Sequence, residues 1–92
     1  MIDRDTEIDL DIESKTSNGF KHEIILYNDD VNTFDHVVIS LQEICGHNYF
    51  QAIQCAHLVH HNGSCEIFKD QRELTETIYE ELKEVGLVVK LK

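Results

Sequence analysis

Three amphipathic segments, each closed by a glycine, constrain the fold of this chain more than any other feature. Apolar residues recur at helical spacing before Gly46, Gly63 and Gly86, and glycine is the usual residue where a helix ends in a left-handed turn. Short apolar runs typical of strands precede the first segment, separate the second from the third and follow the third. The predicted order of elements is therefore strand, helix, helix, strand, helix, strand.

The spacing also predicts approximate bounds for each element. In chain order these are a strand at 23–27, a helix after a cap at Asn32 or Thr33, a helix from about Asn48, a strand at 65–69, a helix at about 70–85 and a strand at 87–91. The apolar stripe of the third helix is predicted to consist of Leu74, Ile78, Leu82 and Val85. We expect an α+β fold in which a three-stranded antiparallel sheet packs against three helices, in the order β-α-α-β-α-β.

Residues 1–19 differ in composition from the rest of the chain. Acidic residues dominate the first part of this stretch and polar, turn-forming residues the second, which is typical of a segment that does not fold by itself. Ile8, Leu10 and Ile12 alternate with acidic residues, so an added edge strand is an open alternative. We predict a flexible acidic tail at residues 1–19 and one folded domain at residues 20–92.

The charge balance of the 92-residue chain, −10 at pH 7, argues against two classes of partner. Nucleic acids and anionic membrane surfaces bind patches of Lys and Arg, so we expect neither as a partner. Three cysteines without the spacing of a disulfide framework favour reduced thiols in the cytoplasm. The first residues are acidic and lack a basic-then-apolar pattern, so we expect no secretion signal, and no apolar run is as long as a membrane span. Nothing in it indicates an oligomer, so we expect a monomer.

Polar residues follow the first predicted strand, and a histidine falls on the apolar stripe of the second predicted helix. These residues are Asn28, Asp29, Asp30 and His60. Asn, Asp and neutral His side chains all accept hydrogen bonds, and an α-ammonium group donates three. Acceptors beside an apolar cavity suit a ligand that is cationic at one end and apolar at the other. The free N-terminus of a peptide with a bulky hydrophobic first residue is such a ligand.

The pattern around these positions is specific between residues 22 and 63. It consists of Leu26-Tyr27-Asn28-Asp29-Asp30, Val37-Val38, Leu41-Gln42, Ala52, Val59-His60 and Gly63. In these residues the chain resembles the ClpS family, while residues 64–92 match more loosely. The resemblance implies a compact α/β domain with a three-stranded sheet. It also implies a non-enzymatic adaptor that delivers substrates with destabilising N-terminal residues to the ClpA or ClpC AAA+ unfoldase of the ClpP protease.

The resemblance further implies roles for individual residues. Asn28 and His60 are expected to hydrogen-bond the α-amino group of the substrate, and Asp29 to add negative charge beside it. The remaining residues are implied to form the rim, gate and wall of the pocket: Asp30 and Asn32 at the rim, Phe34 at the gate, and Val37, Leu41 and Ala56 in the wall.

Two of these residues depart from the pattern of the family. Phe34 falls where the family usually has a methionine, and Ala56 falls where the family usually has a larger residue. Loss of side-chain atoms at the wall would enlarge the cavity. We expect a roomier pocket that accepts Trp and admits Ile or Val, with refilling of the space by Phe34 as the alternative.

Simpler interpretations of the same residues remain open. Asn28-Asp29-Asp30 alone is typical of a turn followed by a helix cap, and a histidine such as His60 can be a core residue bonded to a carbonyl. His57 and His61 are predicted to face solvent. A plain interaction domain of the same fold, such as the C-terminal domain of the ribosomal stalk protein, would lack an apolar cavity between the first two helices.

Cysteine and histidine residues suggest two further alternatives. Residues 55–61 and Cys65 supply zinc-ligand side chains, although their spacing matches no usual zinc motif. Cys55 or Cys65 beside a histidine could form a thiol nucleophile. The chain has no glycine-rich phosphate loop and no second catalytic element. We therefore predict no bound metal, no cofactor and no enzymatic activity.

Overall fold

The computed structural model describes residues 21–92, which form six elements in the predicted order. The elements are β1 (Lys21–Tyr27), α1 (Phe34–Cys45), α2 (Tyr49–Asn62), β2 (Ser64–Gln71), α3 (Arg72–Glu84) and β3 (Val89–Leu91). This order confirms the predicted β-α-α-β-α-β fold. The predicted acidic tail and its alternative strand lie outside the described residues. Within residues 21–92, no helix has the length and apolar character needed to cross a membrane.

The strand β1 is the central strand of the sheet that the described residues form. It pairs antiparallel with β2 on one side and with β3 on the other, and a bulge interrupts its pairing with β2 between Ile24 and Ile25. Side chains two residues apart point to the same face of a strand, and both Ile24 and Leu26 are buried. This face of β1 therefore packs into the hydrophobic core.

The core lies between the sheet and the helices, and every element contributes to it. Its buried apolar residues are Ile24, Leu26, Val38, Leu41, Ala52, Ala56, Val59, Ile67, Leu82, Leu87 and Val89. The buried face of α2 carries only small side chains, those of Ala52, Ala56 and Val59. Small side chains on one face of a helix leave space beside it when larger neighbours do not fill that space.

Polar side chains fix where the first two helices begin. Of the two predicted caps of α1, the cap is Thr33, whose Oγ1 accepts a hydrogen bond from the His36 N–H at 3.0 Å. The second helix begins with a capping box, in which Asn48 and Gln51 each accept a hydrogen bond from the other's backbone N–H. Both helices therefore start where the sequence predicts.

The third helix differs from its prediction in its start and in its buried face. Because β2 continues to Gln71, α3 begins only at Arg72. Leu74 is 46% exposed although it belongs to the predicted stripe, whereas Thr75 and Leu82 are fully buried. Thr75 and Leu82 lie two helical turns apart on the same face. A threonine on the buried face is a position that a search for apolar residues does not detect.

Leu41 is completely buried in the core, and Ile39 on the same helix is 51% exposed. Leu41→Ala should therefore lower the free energy of unfolding by about 2–5 kcal/mol, because the cavity left behind cannot collapse fully. Ile39→Ala is the matched control and should cost less than about 1 kcal/mol. Urea denaturation followed by circular dichroism measures both values. Equal losses in the two variants would contradict the position of Leu41 in the core.

Candidate functional site

The Asp29 carboxylate organises the loop between β1 and α1. Its Oδ1 accepts hydrogen bonds from the backbone N–H groups of Val31 and Asn32, at 2.7 and 2.8 Å. Its Oδ2 accepts a third hydrogen bond from the side-chain amide of Asn32, at 2.8 Å. Aspartate side chains that bond the backbone two or three residues further on stabilise tight turns. The Asp29 side chain thus closes the turn over residues 29–32.

Two further hydrogen bonds tie this loop to distant parts of the chain. The Asn32 amide also donates to the carbonyl oxygen of Gly86 after α3, at 2.9 Å. The Asn28 N–H donates to the carbonyl oxygen of Gly63, at 3.0 Å. Gly63 ends α2 with a φ of 94°, a left-handed conformation that glycine adopts without strain. The loop therefore lies beside the end of α2 that carries His60.

A cavity of about 330 Å³ opens between this loop, the start of α1 and the small-residue face of α2. Its lining combines apolar side chains with polar and imidazole groups: Asn28, Asp29, Asn32, Phe34, Val37, Ala56, His57, Val59, His60 and His61. The volume is at the lower end of the range for small-molecule sites. A cavity of this size has room for a small ligand group.

Most of the pocket residues that the sequence predicts are brought together around this cavity. They are Asn28, Asp29, Asn32, Phe34, Val37, Ala56 and His60. Leu41, predicted in the wall, does not line the cavity, because it lies one turn beyond Val37 and is buried in the core. Asp30, predicted at the rim, also does not line it, since it is an exposed residue of the turn that Asp29 closes.

The histidines of α2 differ from the sequence prediction in their exposure and position. His60 is exposed, and the apolar stripe of α2 ends instead at Val59. His57 and His61 are also exposed, as predicted, but they line the cavity together with His60. The available signal was the helical spacing: His57 lies three residues before His60 and four before His61, and residues three or four apart are neighbours on a helix surface.

Aromatic contacts connect the gate residue to these histidines. The Phe34 and His57 rings are tilted, with centroids 5.0 Å apart. The His57 and His61 rings are nearly parallel, with centroids 5.9 Å apart, and the His60 and His61 rings meet edge to face at 5.2 Å. Four rings therefore follow one another along one side of the cavity.

Asp29 supplies a fixed negative charge to the site. The hydrogen bond from the Asn32 backbone N–H, followed by the one from its side-chain amide, lowers the pKa of Asp29 from its ordinary value of 3.8. The group is therefore ionised at neutral pH. Since the loop already occupies three of its acceptor positions, Asp29 acts on a cationic ligand mainly through its charge.

Burial works against thiolate formation at Cys45 and Cys55. Burial raises the pKa of the Cys45 thiol to about 12. Burial, with the neighbouring Cys65 thiol as a second cause, raises the pKa of Cys55 to about 12 as well. The reactive form of cysteine is the thiolate, which such values disfavour. For the zinc alternative, no three His, Cys, Asp or Glu side chains among residues 21–92 are arranged to hold a metal ion together.

Fold and cavity together define a small α+β domain with a partly apolar cavity next to hydrogen-bond acceptors. Comparison with known proteins gives the family. The family model described as the ATP-dependent Clp protease adaptor protein ClpS matches residues 18–89. The chain belongs to the ClpS family.

Individual relatives agree with this assignment. The ClpS adapter proteins of Campylobacter jejuni subsp. jejuni (strain 81-176) and of Campylobacter jejuni subsp. doylei are each 37% identical over 65 residues, 68% of this chain and 68% of each relative. In fold, the chain is similar to Agrobacterium tumefaciens ClpS2 bound to L-phenylalaninamide, with a TM-score of 0.73 and 21% sequence identity. This likeness covers 82% of the present chain and 98% of the other.

Asp29→Ala removes the three hydrogen bonds that close the loop and should lower the free energy of unfolding by about 1–2 kcal/mol at neutral pH. Because folding lowers the pKa of Asp29, its contribution is present above the ordinary value of 3.8 and is lost as the pH falls through the lower folded-state value. The difference between wild type and variant should therefore shrink in acid. Urea denaturation over a pH series measures it.

Asp30→Ala is the control for the loss of a negative charge. It removes the same charge from the neighbouring, exposed position and should change stability by less than about 0.5 kcal/mol. A loss in Asp29→Ala no larger than the loss in Asp30→Ala would contradict the structural role of the Asp29 carboxylate.

Proposed function

We propose that this chain is an adaptor that binds proteins through a free, bulky hydrophobic N-terminal residue and presents them to a AAA+ unfoldase of the Clp protease. One observation carries the proposal. An apolar cavity lined by Val37, Ala56 and Val59 lies next to the exposed acceptor side chains of Asn28 and His60. Apolar groups and hydrogen-bond acceptors thus line the same cavity.

The polar side of the cavity suits an α-ammonium group. The side chains of Asn28 and His60 are exposed and line the cavity. Each can accept one of the three N–H groups of the ammonium. The ionised Asp29 nearby favours a positive charge without giving up its bonds to the loop. Acetylation of the N-terminus would remove both the charge and two of the donors.

The comparisons support the same ligand class. The Agrobacterium ClpS2 structure contains L-phenylalaninamide, a compound with a free α-amino group and an aromatic side chain. Both features match what the cavity of this chain can receive. The family description, an adaptor of the ATP-dependent Clp protease, supports delivery of the bound protein to a ClpA- or ClpC-type unfoldase of ClpP. We assign no catalytic step to the chain itself.

The predicted division of the chain into an acidic tail and a folded domain is consistent with an adaptor. In the proposal, residues 20–92 form the adaptor domain and residues 1–19 form an acidic extension that assists transfer of the cargo. The length and charge of the extension, rather than a particular motif, would matter for this task.

Short fluorescent peptides test the proposal directly. Peptides that begin with Leu, Phe, Tyr or Trp should bind when the N-terminus is free, and binding should be lost on acetylation or with Ala as first residue. His60→Ala should weaken binding by about tenfold or more, because it removes one charge-assisted hydrogen bond. Fluorescence anisotropy of the full chain measures these affinities.

His22→Ala is the matched control, since His22 lies on β1 outside the cavity, and it should bind like the wild type. Equal binding of free and acetylated peptides, or an unchanged affinity of His60→Ala, would contradict N-terminal recognition. The absence of binding to every peptide would favour an interaction domain of the same fold instead.

The buried methyl group of Ala56 should set the size of the accepted side chain, because Ala56 lines the cavity. Ala56→Met should weaken binding of peptides that begin with Trp or Ile by about tenfold, since added atoms take space from the largest and the β-branched side chains. Binding of the Leu peptide should change less and serves as the internal control. A uniform change for all peptides would contradict the steric role of Ala56, and far-UV circular dichroism checks that the variant is folded.

A further inference from the structure

Two histidines of the cavity take no part in the proposed recognition of an N-terminus. That proposal assigns the ammonium group to Asn28 and His60, and the first side chain to the apolar part of the lining. His57 and His61 line the same cavity and are exposed. They lie four residues apart on α2 and therefore occupy neighbouring positions on one helix face. Two flat rings of the lining are thus left without a ligand group.

The two imidazoles and the Phe34 ring form one continuous aromatic surface. The rings of His57 and His61 are nearly parallel, with an interplanar angle of 10° and centroids 5.9 Å apart. The Phe34 ring adjoins that of His57, with centroids 5.0 Å apart and a tilt of 56°. Both separations lie within the roughly 4.5–7 Å at which aromatic rings attract each other. The three rings therefore support one another, and the exposed imidazoles can pair with a further ring.

The second residue of a bound peptide would lie close to this surface, provided that the cavity holds an N-terminus as proposed above. His60, assigned to the ammonium group, has its ring centroid 5.2 Å from that of His61, and consecutive Cα atoms of a peptide are about 3.8 Å apart. In an extended chain the second side chain does not follow the first into the cavity, because successive side chains point to opposite sides. Only exposed groups of the lining can therefore contact it, and His57 and His61 are exposed.

We propose that His57 and His61, supported by Phe34, form a second subsite of the cavity, which binds the second residue of the peptide and selects an aromatic side chain there. An imidazole presents a π face, on which an aromatic ring stacks or which it meets edge to face. A branched aliphatic side chain gains only the burial of its own surface. Because both imidazoles are exposed, that burial is incomplete, and ring pairing decides the preference.

Charge alone would favour a different second residue. Residues 28–63 contain Asp29, Asp30, Asp35 and Glu43 but neither Lys nor Arg, so a basic side chain is attracted to this part of the domain as a whole. Such attraction between exposed charges weakens as salt is added, whereas the pairing of neutral rings does not depend on salt in this way. A lysine peptide and a salt series therefore separate the two effects.

Four peptides that begin with Phe and carry Trp, Leu, Lys or Ala as the second residue test the subsite by fluorescence anisotropy on the full chain. The Trp peptide should bind about threefold to tenfold more tightly than the Ala peptide. It should also bind more tightly than the Leu and Lys peptides, at low and at high salt. A Leu or Lys peptide that binds as well as the Trp peptide would overturn the selection of an aromatic ring.

Substitutions at the two histidines separate the effect of a ring from that of bulk. The measured quantity is the ratio of the affinities of the Trp and Ala peptides, which a general change in binding does not alter. His57→Leu and His61→Leu should each lower this ratio by about twofold or more, whereas His57→Phe keeps a ring at its position and should preserve it. His22→Ala, outside the cavity, is the control and should leave the ratio unchanged. An unchanged ratio in both leucine variants would overturn the subsite.

Nuclear magnetic resonance of the imidazole signals gives a second measurement. At saturation, the Trp peptide should cause ring-current shifts in the signals of His57 and His61 that the Leu peptide does not cause, and equal shifts with both peptides would overturn the ring pairing. Binding of the Ala peptide without a gain from Trp would overturn the subsite and leave the proposed function intact. The absence of binding to all four peptides would overturn the proposed function and, with it, the subsite.

Discussion

The carboxylate of Asp29 is the constraint on which the cavity depends. It closes the loop after β1, and through Asn32 it connects that loop to Gly86 at the far end of α3. The loop also holds the end of α2 through the hydrogen bond from Asn28 to Gly63. The side chains that line the cavity come from two segments that are distant in sequence, residues 28–37 and 56–61, and these bonds keep the two segments adjacent. A single ionised group therefore serves both the shape of the site and its charge.

The fold could be predicted from the sequence because its signals are local. Helical spacing, capping residues and the glycines that end the helices each act within a few residues, and the element order they predict is the one observed. The prediction failed where burial depends on tertiary packing. Thr75 is fully buried and Leu74 is half exposed, because tertiary context, and not apolarity alone, decides which face of α3 is buried.

The candidate site could be predicted only in part, because local signals fix where a residue stands relative to strands and helices but not how deeply its side chain is buried. The positions of Asn28, Asp29 and His60 relative to strand and helix ends were sufficient to expect them around one cavity. Leu41 and Asp30 were misplaced because the depth of a side chain, in the core or in solvent, is set by neighbours that the sequence does not reveal. His57 and His61 were assigned to solvent, although a residue can be exposed and still line a concave surface.

The position of Asn28 has a mechanical consequence. Asn28 follows directly on β1, the strand with partners on both sides, and its own N–H continues the hydrogen bonding of that strand. Under the proposed function, a cargo bound at Asn28 would be attached next to the central strand of the sheet, and core strands are the parts of a domain that resist local opening most. Pulling on such a cargo would then break the few bonds between ligand and side chains before it unfolded the domain.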